Sequence, residues 1–392
     1  MRNAPLIALT FLSAWTLGHA PAEAHGGPPA THDVLLNSGD VTLVTSHGFF
    51  ADDIGWAWIC DEATDADIAA SAARTSSRWF VGTLYGLKTS LDGCEWVDDP
   101  ALIDTHILRV IADTQDPERV WVVTMDGLWV VDGLDDARLD WPAEFSLRHA
   151  GQRADGGLLL VGFDGPSPVA QLGAQRIPLP AETGRIEVLS ADALGRFYLR
   201  FPAGMTDRLV RVSEAGAEVL IAQTELIRDV ALLGDALYVI YSSGVSWSAD
   251  DGAQWAPPTG APITCLRHGT GGVYACPPQG SGAALWHAPA VAPDPAEWPW
   301  ESALAFSAVS PHACAPGSTV RNICPLIWPI VADELGVLTE AASEDITEAP
   351  RDASGCGVGR IGRRGNLAFW ALVILLALIR SGVRGPVRRL WA

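Results

Sequence analysis

Lysine is nearly missing from this chain: among 392 residues, Lys88 is the only one. Arginine supplies the other basic residues, and the balance is acidic, with a formal net charge of −20. Setting aside Arg2, Glu23 and the seven arginines after Cys356 leaves 18 basic against 45 acidic residues for the stretch 25–354. A surface so poor in cations has no patch to neutralise phosphates, which excludes nucleic acid as a partner. Anionic membrane surfaces and anionic glycans are repelled for the same reason. Catalytic and metal signatures are missing too: no GxSxG, P-loop, HExxH, CxxC or HxxxH spacing occurs. The nine histidines and the arginines at 74, 109, 148, 185, 228, 267 and 321 read as scattered along the chain. The density of Asp, β-branched residues, 39 Gly and 27 Pro argues against a helical architecture.

What is present is a repeat. A short apolar strand turns at a glycine or polar pair and restarts, seven times. The clearest copies begin at Arg78 (RWFVGTLYGLKTS), Arg119 (RVWVVTMDGLWVV) and Ala236 (ALYVIYSSGVSWS). Weaker ones begin near Val41, Gly157, Arg196 and Gly272. Strand starts at 41, 79, 120, 158, 197, 237 and 273 give steps of 38, 41, 38, 39, 40 and 36 residues. A period in that range carried by strands alone predicts an all-β, seven-bladed β-propeller of four-stranded blades, spanning 25–338 as one closed domain. The nearly continuous apolar runs fit strands packed on both faces. The turns fall at Gly86, Gly127 and Gly244. Closure is expected from pairing of a strand near Leu35 or Val41 with strands in 306–331. The stretch 181–195 reads as the outer strand of a blade.

The ends carry a different signal. Arg2, an apolar stretch from Leu6 to Leu17 and the Ala22-Glu23-Ala24 triplet form a secretory signal peptide over 1–24, with cleavage after Ala24. Residues 339–355 are polar and acidic and read as a linker. Residues 356–392 hold Cys356, an apolar run from Leu367 to Ile379 and arginines on both sides. Thirteen apolar residues rise about 20 Å as a helix, a marginal membrane span. This order of parts resembles the MYXO-CTERM sorting tails of myxobacterial surface proteins. The resemblance implies processing and attachment at Cys356 and retention on the cell surface. An ordinary single-span anchor is the alternative, and arginines before the helix depart from the family's pattern.

Export makes the other six cysteines disulfide candidates. Cys265 and Cys276 flank a hairpin turn and would lie opposite each other. Cys314 and Cys324 bracket a small loop before what reads as the last apolar strand, and Cys60 with Cys94 would staple neighbouring blades. Six cysteines allow fifteen connectivities, so this pairing is a preference among them.

Ser248, Asp250, Gly252 and Trp255 fit S-x-D-x-G-x-x-W, and Ser90, Asp92, Gly93 and Trp96 give the same motif short by one residue. Both follow the second strand of a copy. They resemble the Asp-box of BNR-type propellers (a WD40- and YVTN-like architecture), which implies structural turns on the outer rim. Asp accepts turn amides, Gly supplies positive φ and Trp packs between blades. Sialidases share Asp-boxes, but their chemistry needs three converging arginines, a Tyr–Glu pair and an acid. The family's Arg-Ile-Pro does not precede the first box here: Arg176-Ile177-Pro178 lies mid-chain. The acidic stretch Asp61, Glu62, Asp65, Asp67 lacks the glycine and spacing of a calcium loop and reads as solvated, so no cofactor is expected.

The expected function is therefore a surface-anchored, monomeric, non-enzymatic binding or scaffold module. It would take an unknown protein or glycan at the channel face, with the tail reaching the membrane. A sialidase-like glycosidase and an assembly factor for a membrane complex are the alternatives.

Overall fold

The computed structural model describes residues 28–37, 39–65, 71–180, 185–203, 206–260, 262–269 and 271–337. The signal-like segment with Ala24, the whole acidic linker 339–355, and the tail with Cys356 lie outside them. Among the described residues no helix is long and apolar enough to cross a membrane.

Seven antiparallel sheets follow one another along the chain, at 31–59, 71–98, 107–142, 146–178, 187–223, 227–248 and 265–305. The first strands of consecutive sheets pack side by side, and the first strand of the last sheet returns to that of the first. The result is a closed seven-bladed propeller. Five blades are four-stranded; the first gains a fifth strand, and the sixth has three plus an isolated bridge between Val245 and Thr259.

The recurring sequence unit is the second and third strand of each blade. These lie between neighbouring blades and are apolar on both faces: Val120, Val122, Val123, Leu128 and Val131 are all at 0% exposure. Each such side chain contributes roughly 1.5–3 kcal/mol relative to exposure. The recurring glycine has a steric cause. A Cβ on Gly48, Gly86, Gly127 or Gly244 would lie 2.2–2.8 Å from the carbonyl oxygen of Ile59, Leu102, Trp141 or Thr259, respectively. The returning backbone comes too close for any side chain at these four positions. In the first three blades a threonine precedes that glycine by three residues. Thr45, Thr83 and Thr124 donate their hydroxyls to the carbonyls of Gly48, Gly86 and Gly127 and so close the turn.

Ring closure differs from the sequence expectation. The strand Ser310–Pro311 runs parallel to the fourth strand of the first blade, with Ser310 opposite Ala57 and Pro311 opposite Trp58. It joins the outer edge of that blade, away from Leu35 and Val41. The next segment, expected as a strand, is a helix, Thr319–Glu334, despite Pro325 and Pro329 inside it. Both prolines lie on its exposed face, where the carbonyls they leave unpaired reach water. Val320, Cys324, Val331 and Ala332 form the buried face, and Trp328 packs on Trp58 with ring centroids 5.2 Å apart.

This C-terminal clasp is bolted down by two disulfides, Cys60–Cys324 and Cys94–Cys314. The expected pairs Cys60–Cys94 and Cys314–Cys324 do not form. Reading 314–324 as a small loop before a last strand puts Cys314 and Cys324 together, whereas the helix carries Cys324 to the first blade. Cys265–Cys276 does form, between residues directly opposite in the last blade. The acidic stretch is another departure. Asp61 and Glu62 open a four-residue helix, and Asp61 is only 8% exposed. Burial, then a hydrogen bond to Glu62, pushes the Asp61 carboxyl up to about 8. Asp65 pairs with Lys88 at 2.8 Å, and Asp67 lies outside the described residues.

Candidate functional site: the central channel

The first strands of all seven blades enclose a cavity of about 1240 Å³. These strands do not share the apolar pattern of their neighbours, which is why the repeat does not reveal them. The strand Glu187–Ala191, read from sequence as an outer strand, is one of them, the innermost of its blade.

Registering each first strand against its neighbour exposes a layered order. Opposite the fourth residue counted from the repeat starts at 41, 79, 120, 158, 197, 237 and 273 stand Asp33, Ser71, Arg109, His149, Glu187, Asp229 and Cys265. One step further stand Val34, Ala72, Val110, Ala150, Val188, Val230 and Leu266. A polar belt thus sits directly beside an aliphatic one. The seventh blade places a disulfide cysteine in the belt, and Arg267 from the same strand supplies its charge instead.

The belt stitches blades together. Ser71 Oγ accepts from the amide of Val110 in the next blade at 2.9 Å. Asp229 accepts from the amide of Leu266 in the next blade at 3.0 Å and from its own neighbour Val230 at 2.9 Å. Arg267 binds both Asp229 and Asp33, the latter at 2.7 Å, so that one guanidinium ties the first, sixth and seventh blades. Burial opposes the charge on Arg267, but the Asp229 and Asp33 carboxylates outweigh it and raise its pKa. Burial moves Asp229 the other way from its ordinary acidity, raising it against the pull of Arg267. Glu187 is held by Arg185 at 2.7 Å and by Arg200 at 3.1 Å.

Arg109 and His149 form the remaining contact. Arg109 Nη1 lies 2.6 Å from His149 Nε2, and His149 Nδ1 lies 3.0 Å from the carbonyl of Ala150. Nδ1 also faces the amide of Val188 in the next blade, which donates toward it at 3.2 Å, so the ring is held between the Ala150 carbonyl and that amide. Burial, then the charge of Arg109, holds the His149 pKa well below its ordinary value, which keeps the ring neutral.

Four blades carry an extra residue just before the belt position: His32, Leu108, Arg148 and Arg228. The fifth blade has a bulge slightly later, at Leu189. Bulges re-aim side chains, and four of these five line the cavity, Arg228 being the exception. Arginines 74, 109, 148, 185 and 267 all line it, as do His32, His106, His149 and His268. What reads as scatter in the sequence is convergence. The arginines at 74, 109, 148, 185, 228 and 267 are spaced near the repeat period, and that spacing was the signal available. Arg321 stands apart, exposed on the clasp helix.

None of the five tyrosines lines the channel. Tyr198 donates to Asp192 at 3.0 Å, Tyr238 to the Pro293 carbonyl at 3.2 Å, and Tyr274 stacks on His287. Tyr241 is buried, and Tyr85 is exposed on a turn. Among the described residues, the grouping that could hold a metal is Cys94, His312 and Cys314, and its two sulfurs are joined in a disulfide.

The two motif turns lie on the outer half of their blades. In residues 248–255, Asp250 accepts from Ser248 Oγ and the Gln254 amide, each at 2.8 Å, and Gly252 takes φ +88°. In residues 90–96, Asp92 accepts from the Cys94 amide at 2.8 Å and the Glu95 amide at 3.2 Å, and Gly93 takes φ +73°. Trp96 is buried edge-on to Trp79, while Trp255 packs half-buried beside Leu220 and Ile221. The shorter turn also docks the clasp. The Cys94 carbonyl accepts from the Val320 amide at 3.0 Å, and Glu95 accepts from the Thr319 amide and hydroxyl at 2.9 and 3.0 Å.

No protein-family model matches this sequence, and no curated protein matches it. Solved structures resemble parts of it at low identity. The extracellular domain of the one-component system BT4673 from B. thetaiotaomicron is 12% identical over 64% of this chain, with a TM-score of 0.48, and the match covers 37% of that protein. YCF48 from Cyanidioschyzon merolae is 16% identical over 65% of this chain and 94% of its own, with a TM-score of 0.47. Virginiamycin B lyase from Staphylococcus aureus is 9% identical over 58% of this chain and 85% of its own, with a TM-score of 0.40. An extracellular domain and a lyase stand side by side in that comparison, so it assigns no role.

Proposed function

We propose that the protein is an exported binding or scaffold propeller that engages its partner at the central channel. The observation that carries this reading is the channel itself: a cavity of about 1240 Å³ into which bulged first strands direct arginines, histidines and leucines. Its volume exceeds the roughly 300–1,000 Å³ usual for small-molecule sites, which suits an inserted segment of a larger partner. Three disulfides support an oxidising compartment. The 248–255 and 90–96 turns fit a structural Asp-box role, and the tail after Cys356 fits retention at the cell surface. Mass spectrometry of the mature C-terminus tests the sorting reading, which an intact Leu367–Ile379 segment would overturn.

A sialidase-like glycosidase draws on one observation, the converging arginines, and lacks the tyrosine nucleophile at the channel. The test of the main reading is affinity capture from envelope fractions. The wild-type chain is compared with a Leu108→Trp/Leu189→Trp variant that fills the channel from two bulges without touching the belt's hydrogen bonds. Capture should be lost in the filled variant. Undiminished capture would move the site off the channel, and turnover of a sialoside would replace binding with catalysis.

A further inference from the structure

Arg109 is a half-buried cation of the channel lining without a carboxylate partner. Its one polar contact runs to Nε2 of His149, and among the described residues no carboxylate lies within the 4.0 Å of an ion pair. The nearest acids are committed elsewhere, Asp33 and Asp229 to Arg267, and Glu187 to Arg185 and Arg200. A guanidinium presents five donors in a planar fork, and this one keeps most of them for the channel. His149 fixes the orientation of the fork because its own ring is pinned between the Ala150 carbonyl and the Val188 amide. In the next blade the bulge residue Arg148 is exposed, lines the same cavity, and has no ion-pair partner. The same cavity lining includes the apolar Leu84, Leu108, Phe163 and Ile186.

We propose that this end of the channel is a receptor for a carboxylate bearing an apolar substituent, gripped by Arg109 and completed by Arg148. The proposal rests on the reading of the channel as the binding site and adds the chemistry of what enters it. A planar carboxylate matches the guanidinium fork in a bidentate geometry that an amide or a hydroxyl cannot reproduce. A monoanion also fits the local charge better than a phosphate dianion, since Asp33 and Glu187 stand in the same belt and the chain as a whole carries −20. The apolar lining would cover whatever carbon skeleton the carboxylate brings. Two sources offer that chemistry, the free C-terminus of a peptide ending in a hydrophobic residue and a small aryl or alkyl acid.

Calorimetry on the full chain tests this with five probes: 3-phenylpropionate, its primary amide, a pentapeptide ending in phenylalanine with a free carboxylate, the same peptide amidated, and inorganic phosphate. At least one acid should bind, with its amide about tenfold weaker or worse, as expected for loss of a charge-assisted bidentate contact. Arg109→Gln should weaken the acid by a similar factor, Arg109→Lys by less, and Arg148→Gln partially, with the amides indifferent to all three. A peptide acid bound more tightly than phenylpropionate points to a chain terminus; the reverse points to a small acid. Equal affinity for acid and amide, an Arg109→Gln variant that binds the acid as well as wild type, tighter binding of inorganic phosphate, or silence from both acids at about ten millimolar would overturn the proposal. The Leu108→Trp/Leu189→Trp capture experiment separates the two levels. If it abolishes partner capture while neither acid binds, the channel remains the site and only the carboxylate assignment falls.

Discussion

The clasp disulfides are nested, and their energetics should therefore be non-additive in a defined direction. Cys60–Cys324 spans 264 residues and Cys94–Cys314 spans 220 of the same stretch. With either bridge in place, the second closes a much shorter circuit through the first, set by the 44-residue difference between the two separations. Chain-entropy arithmetic assigns about 5.5 kcal/mol to closing a loop of either full length and about 4 kcal/mol to the shorter circuit. Replacing one pair by serines (Cys94→Ser with Cys314→Ser, or Cys60→Ser with Cys324→Ser) should thus cost about 4 kcal/mol. Replacing both should cost about 9–10 kcal/mol, more than the sum of the two single losses. A loss of that size approaches the whole stability of an ordinary domain, about 5–15 kcal/mol. Equilibrium urea unfolding without reductant, with tryptophan fluorescence and circular dichroism as independent probes, measures it. The local Cys265–Cys276 bridge, with a separation of 11 residues, provides the control at about 3 kcal/mol. If the four-serine variant loses no more than either two-serine variant, the clasp does not close the ring in the way described here.

Three further outcomes follow from single sites. The Asp61 carboxyl, pushed up from its ordinary 3.8 to about 8 by burial and Glu62, binds a proton in the folded state that the unfolded chain releases. Its contribution is complete below about pH 4 and is lost as the pH rises toward about 8. Asp61→Asn should flatten the fall in melting temperature over that window, and an unchanged slope would count against the burial argument. Arg267→Met leaves the buried Asp229 carboxylate without its guanidinium and should cost about 3–5 kcal/mol in denaturant unfolding; Asp229→Asn in the same background should recover part of it. Glu95→Ala removes the acceptor for the first amide of the clasp helix and should cost about 1 kcal/mol, with faster hydrogen exchange confined to residues near 319–322.

The parts of the fold legible in the sequence were those with one physical cause repeated seven times. The second and third strands are buried on both faces, and the glycine between them is required by the backbone that returns against it, as at Gly86 and Gly244. The first strands were not legible, because the polar belt interrupts their apolar pattern with residues as different as Ser71, Arg109 and Asp229. Only their common register, at near-repeat spacing, unites them. The clasp was hidden by Pro325 and Pro329, which argue against a helix until both are seen to face solvent. The cysteine pairing depended on that helix, so two of the three bridges could not be read in advance. The channel site suffered the same way: Arg109 and Arg148 are 39 residues apart, one repeat, and that spacing places them in adjacent blades.

Site-specific photo-crosslinking in the native envelope tests the central claim most directly. A benzophenone amino acid at Leu108, on a bulge lining the channel, is compared with one at Leu139, which is 45% exposed on an outer strand. The account predicts a discrete crosslinked partner from position 108 and none from position 139. A partner captured at 139 and absent at 108 would contradict it.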